Sequence, residues 1–98
     1  MLFRSWPECI YLLGQTFADQ GNTKEAFAYF QRLYVLYDGY VDWAAKGYLH
    51  SGLCLEKLDQ RADAIKTYQE FLGKPEFAKT PEFPVARQQL QRLGGGGS

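Results

Sequence analysis

Residues Gly47 to Leu72 read GYLHSGLCLEKLDQRADAIKTYQEFL, and this stretch decides the fold. Tyr48, Gly52, Leu55 and Leu58 recur at three and four residues, the spacing of one buried helical face. A polar break follows at Asp59-Gln60-Arg61, after which Ala64, Tyr68 and Phe71 repeat the spacing on a second helix. Gly52 and Ala64 carry almost no side chain. They predict the closest approach of the two helix backbones, with Tyr48 and Tyr68 filling the flanking space. Working outward, Gly14, Phe17, Gly21, Ala26 and Phe30 stand 38 positions before Gly52, Leu55, Asp59, Ala64 and Tyr68. The chain is therefore an internal repeat of a helix pair.

The rest of the sequence extends that pattern in both directions. Ser5 and Glu8 form a capping box around Trp6-Pro7, and Ile10, Leu13, Gly14 and Phe17 supply the inner face of a first helix. Gly21 is placed to end it in the left-handed conformation. Asn22-Thr23-Lys24-Glu25 offers a second cap, opening an aromatic helix built on Ala26, Phe27, Phe30, Leu33, Tyr34 and Tyr37. Asp38-Gly39 is a turn. A third helix is expected over about Val41 to Leu58 and a fourth over about Arg61 to Leu72, stopped by Gly73 as a cap and by Pro75. Glu76 to Phe83 reads as a loop with Phe77 tucked under the helices. Pro84 lies in the first turn of a closing helix over about 82–93, with Val85, Ala86, Leu90 and Leu93 as its apolar edge.

Composition bounds what such an object can do. The 98 residues allow one small domain, 46% hydrophobic and 16% aromatic, enough for a core and unlike a disordered chain. Eleven acidic and eleven basic residues cancel, and without a basic stripe no nucleic-acid partner is expected. No apolar run approaches a membrane span, so no membrane insertion is expected. Met1 to Arg4 is too short for a secretory signal. Leu-Phe-Arg-Ser is also what the end of a sequencing adapter would encode, which makes residues 1–4 a candidate artefact. Gly94 to Ser98 has the composition of an engineered flexible linker. Cys9 and Cys54 fall inside helical patterns and read as buried thiols rather than a disulfide.

These residues resemble the tetratricopeptide repeat family of helix–turn–helix solenoids. Its repeats carry an aromatic, then Leu-Gly, then Tyr or Phe on the first helix, and Ala with an aromatic four residues on in the second. Leu13-Gly14, Phe17, Gly21, Ala26 and Phe30 match in repeat one, over about 5–40. Tyr48, Gly52, Leu55, Ala64, Tyr68 and Pro75 match in repeat two, over about 41–78. The resemblance covers about Trp6 to Leu93 and implies an all-α solenoid of two repeats plus a closing helix. Three departures stand out: Ile10 where Trp or Tyr is usual, Ser51 where Leu is usual, and a spacing longer than the family's ~34 residues. The long segment from Lys74 to Ala86 is similar to the long-turn variety in bacterial envelope lipoproteins that scaffold membrane-associated assemblies. Cytoplasm and bacterial envelope both stay open as compartments.

No catalytic constellation is visible, so no enzyme activity, cofactor or metal is expected. His50 is the single histidine and reads as an exposed helical side chain. A nucleophile and base must converge with a third group orienting the base. Cys9, Cys54 and His50 lack zinc-ligand spacing. The resemblance instead implies a protein or peptide partner held on the concave face of helices one, three and five. Tyr11, Gln15, Lys46, Leu49, His50, Leu53 and Arg92 are the residues expected to line it, with Leu49 and Leu53 open to either a core or a groove reading. The family's two-carboxylate clamp is not expected, since Tyr11, Gln15, His50, Gln88 and Arg92 stand at its Lys and Asn positions and only Arg92 fits loosely. The alternative is a piece of a longer solenoid that sets assembly geometry. A homodimer is also expected, because the aromatics from Phe27 to Tyr40 cover more than one helix face. Tyr29 and Tyr40 would point outward, joined by Tyr11, Leu49 and Leu53.

Overall fold

The computed structural model describes residues 6–94. Five α-helices run in order: α1 Trp6–Asp19, α2 Thr23–Leu36, α3 Val41–Lys57, α4 Arg61–Leu72 and α5 Glu82–Leu93, with one 3₁₀ turn at Pro75–Phe77 between α4 and α5. No strand occurs among the described residues. Each helix packs on the next, and α3 also touches both α1 and α5. The odd helices therefore share one layer and α2 and α4 the other. Residues 1–5 and 95–98, which include the Ser5 half of the capping box, the N-terminal tip and most of the Gly/Ser segment, lie outside the described residues.

The two hairpin junctions are made the same way. The Gly21 N–H donates to the Ala18 carbonyl at 3.0 Å and the Asn22 N–H to the Phe17 carbonyl at 2.8 Å, the paired bonds of a Schellman cap. Gly21 sits at φ 82° to allow it. In repeat two Asp59 donates to Glu56 at 3.0 Å and Gln60 to Leu55 at 2.9 Å. Here the left-handed position is Asp59, at φ 61°. Two expected caps are not made. Asn22 precedes α2 without a side-chain cap bond, and Gly73 ends α4 at φ −79°, so its conformational freedom is unused.

Glycines mark contact points, though not the one expected. At Gly52 a Cβ would collide with the Tyr68 ring, and at Gly14 with the Phe30 ring at 2.6 Å. Gly52 thus accommodates an aromatic face rather than the backbone at Ala64. Close backbone approach happens at Gly47 instead, where a Cβ would lie 2.6 Å from Leu33 Cβ and 2.7 Å from the Phe30 carbonyl oxygen. That contact joins α2 to α3 across the repeat boundary.

The larger core cluster lies among α3, α4, the 3₁₀ turn and α5. Tyr34 stacks on Tyr48 at 3.9 Å, Tyr48 on Phe71 at 5.3 Å, and Phe71 contacts Phe77 at 5.0 Å and Phe83 at 5.6 Å. A smaller cluster of Ala26, Phe30, Leu33 and Cys54 joins the first hairpin to α3. Phe77 is buried as the sequence suggested. Leu13, expected on the inner face of α1, is 45% exposed. On α5 the buried edge is Phe83, Ala86, Leu90 and Leu93, while Val85 is 43% exposed. The helix begins two residues before Pro84, so Phe83 rather than Val85 is in register with Ala86 and Leu90. Gly94 closes α5 in the left-handed conformation, its N–H donating to Gln91 at 3.0 Å.

Candidate partner-binding face

The layer of odd helices carries the residues expected to meet a partner. Gln15 Nε2 donates to the Tyr11 hydroxyl at 3.0 Å, and that hydroxyl lies 3.4 Å from His50 Nε2. The Tyr11 ring also contacts Phe30, Trp43 and His50, at 5.9, 5.7 and 5.4 Å between centroids. Side chains from α1 and α3 are therefore tied into one polar chain over an aromatic base. His50 is half-buried and stacks on Phe30 at 5.0 Å, which corrects the expectation of an exposed histidine. Burial pushes its pKa below the ordinary value, against the pull of Glu82 and with the help of Lys46. A neutral ring lets Nε2 accept from Tyr11.

Below this chain, α1 and α3 enclose a cleft of about 340 Å³. Gln15, Asp19, His50, Leu53 and Lys57 line it, with Phe30 and Cys54 among the remaining walls. The Cys54 thiol is buried and its pKa is pushed up to about 11 by that burial, so it stays protonated and unreactive. Cys9 and Cys54 are both free thiols. Leu53 is half-buried at the cleft.

The remaining expected residues are held elsewhere. Leu49 is 7% exposed and belongs to the core cluster with Ala86 and Leu90, on the core side of its two readings. Lys46 Nζ donates to Glu82 Oε2 at 2.8 Å, a strut from α3 to α5. That bond, more than the opposing burial, raises the lysine pKa. Arg92 pairs with Glu56. Tyr29 is half-buried, stacked on Phe17 at 5.4 Å with the Arg32 guanidinium 4.8 Å from its ring centroid. Of the rings expected to point outward, Tyr40 does so, at 59% exposure.

Sequence reading missed two residues on this layer. Glu56 accepts from Tyr68 Oη at 2.6 Å and Gln89 Nε2 at 3.3 Å as well as from Arg92, joining α3, α4 and α5. Trp43 flanks Tyr11 and lines a second cleft beside Lys46. The signal existed for both, since Trp43, Lys46, His50, Leu53 and Glu56 follow one three-and-four spacing along α3.

Among the described residues no three His, Cys, Asp or Glu side chains gather to hold a metal ion. No described helix is long and apolar enough to cross a membrane. No curated protein and no solved structure is similar enough to the chain to count as a match. The family model for the tetratricopeptide repeat matches twice, at residues 8–39 and 47–76. Those two matches fall on the two hairpins described above and cover more than half of the sequence. The chain belongs to the tetratricopeptide repeat family.

Proposed function

We propose that the protein is a non-enzymatic interaction module that holds a peptide or partner helix in the cleft between α1 and α3. Tetratricopeptide repeats mediate protein–protein interactions in general. The observation that carries the reading is the cleft itself: an apolar centre at Leu53 rimmed by Gln15, Asp19 and Lys57, an arrangement suited to an apolar anchor with polar bonds around it. The side chains around His50 offer no activated nucleophile. The Tyr11 and His50 rings pack together on Phe30, and the Cys54 thiol is held protonated.

The test is selection of a random peptide library displayed on phage against the intact protein. Enriched peptides should bind the wild-type chain and lose about tenfold or more against Leu53→Arg, a change at a half-buried cleft position worth roughly 1.4 kcal/mol of binding per factor of ten. Circular dichroism controls for folding. Enriched peptides that bind Leu53→Arg and Lys57→Glu as well as wild type would overturn the cleft reading. A second reading, a scaffold element that self-associates or sets assembly geometry, is supported by the outward face of α1, where Trp6, Leu12 and Leu13 are exposed.

A further inference from the structure

The opposite layer carries a third cleft, of about 250 Å³, at the end where α2 and α4 both terminate. Tyr34 and Tyr48, stacked on each other, line it together with Phe77. Asp38, Glu70 and Glu76 contribute three carboxylates to the same lining against one ammonium, that of Lys74. Neither α2 nor α4 has a basic residue in its last turn, so among the charges lining the cleft only Lys74, just past the end of α4, offsets the negative ends of the two helix dipoles. The Tyr48 hydroxyl donates to Glu70 Oε2 at 2.8 Å, which fixes that carboxylate and leaves Oε1 to accept. The negative field is felt by Tyr48 itself: its pKa is raised by burial first, then by the bond to Glu70 and the charges of Glu70 and Glu76. Val35, at the cleft wall, and Leu36 beside it are 61% and 63% exposed, and Tyr40 follows them just before α3.

We propose that this cleft docks an arginine of a partner segment, whose flanking apolar side chains rest on Val35, Leu36 and Tyr40. Charge complementarity selects a cation, and carboxylates grouped around one cleft select a forked one. A guanidinium bonds a carboxylate through two parallel N–H groups, which an ammonium, binding as a point charge, does less well. The volume is below that of ordinary small-molecule sites, which suits one long side chain delivered by a peptide. The site is separate from the cleft between α1 and α3, so either can fail without the other.

Nuclear magnetic resonance titration of the intact chain with acetyl-Leu-Arg-Leu-amide tests this, against the same peptide carrying citrulline, the neutral isostere of arginine. Saturable shifts are expected at the amides of Val35, Asp38, Tyr48, Glu70 and Phe77. The citrulline peptide and the Glu70→Gln variant should each weaken binding about tenfold, and raised salt should weaken it further. Lys74→Ala, which removes the competing ammonium, should tighten it several-fold. Glu76→Gln gives the same reading as Glu70→Gln without touching the Tyr48 bond. Four outcomes overturn the proposal: equal binding of both peptides, no saturable shift, shifts confined to Gln15, His50 and Leu53, or shifts at the cleft amides themselves that depend on protein concentration without peptide.

Discussion

Asp59 occupies the left-handed position that ends α3, at φ 61°, where Gly21 stands in the first repeat. A side chain there costs free energy that glycine avoids, less for Asp than for most residues because of its short polar side chain. Asp59→Gly should therefore raise stability by about 0.5–1 kcal/mol, net of glycine's larger unfolded entropy. Urea titration measures it, and an unchanged or lower midpoint counts against the cap geometry. His50 gives the second prediction at this scale. Its folded pKa lies below the ordinary 6.5, so on acidification the unfolded chain binds a proton first. The stability it supports is complete above about pH 6.5 and is lost as the pH falls through the folded pKa. Lys46 and Glu82 face it with opposite signs and leave burial in control. Urea midpoints of wild type should drop more than those of His50→Gln between about pH 7.5 and 5; equal drops would remove burial of the ring as the cause.

At the scale of elements, α5 shows what one residue of register does. Phe83 is buried against Phe71 at 5.6 Å, whereas Val85 faces outward. Phe83→Ala should cost about 3–4 kcal/mol and Val85→Ala no more than about 0.5. Comparable losses for the two would return the helix to the register read from sequence. Sequence periodicity located all five helices, and the approximate bounds of α4 agree with the structure, because its start follows a polar break and its end precedes Gly73-Lys74-Pro75. It could not say which neighbour covers a face. Leu49 and Leu53 stand one turn apart on α3, yet the first is buried in the core while the second packs against its edge and lines the cleft. Small residues carry the same ambiguity: Gly52 announced a close neighbour, and the neighbour is the Tyr68 ring rather than a backbone. The site was half legible for this reason. Tyr11, Gln15, His50 and Leu53 come together, while Lys46 and Arg92 are engaged by Glu82 and Glu56, carboxylates whose places depend on how α5 lies.

For the whole molecule, the internal repeat allows the outer face of α1 to be compared with its counterpart on α3. Ala44, Gly47 and Ser51 are buried on α3, and Gly47 lies directly against α2. Counted 38 positions back, they correspond to Trp6, Cys9 and Leu13 of α1. That face has no helix over it among the described residues, and Trp6 is 68% exposed. Repeats of this kind bury their apolar faces on neighbours, and bulky side chains at these positions fit a looser contact than the one Gly47 allows. Two copies of the chain meeting α1 to α1 about a twofold axis would cover Trp6, Leu12 and Leu13 on both sides at once. The tyrosines first suggested for self-association contribute less, since Tyr29 is stacked on Phe17 and Tyr11 is held by Gln15 and His50. Sedimentation equilibrium at micromolar concentration should give a mass rising above the 11.2 kDa of one chain, and Leu13→Lys should return it to that value while Tyr40→Ser leaves the association intact. A single-chain mass across the whole concentration range overturns the α1 contact, and dissociation by Tyr40→Ser moves the interface to the end of α2.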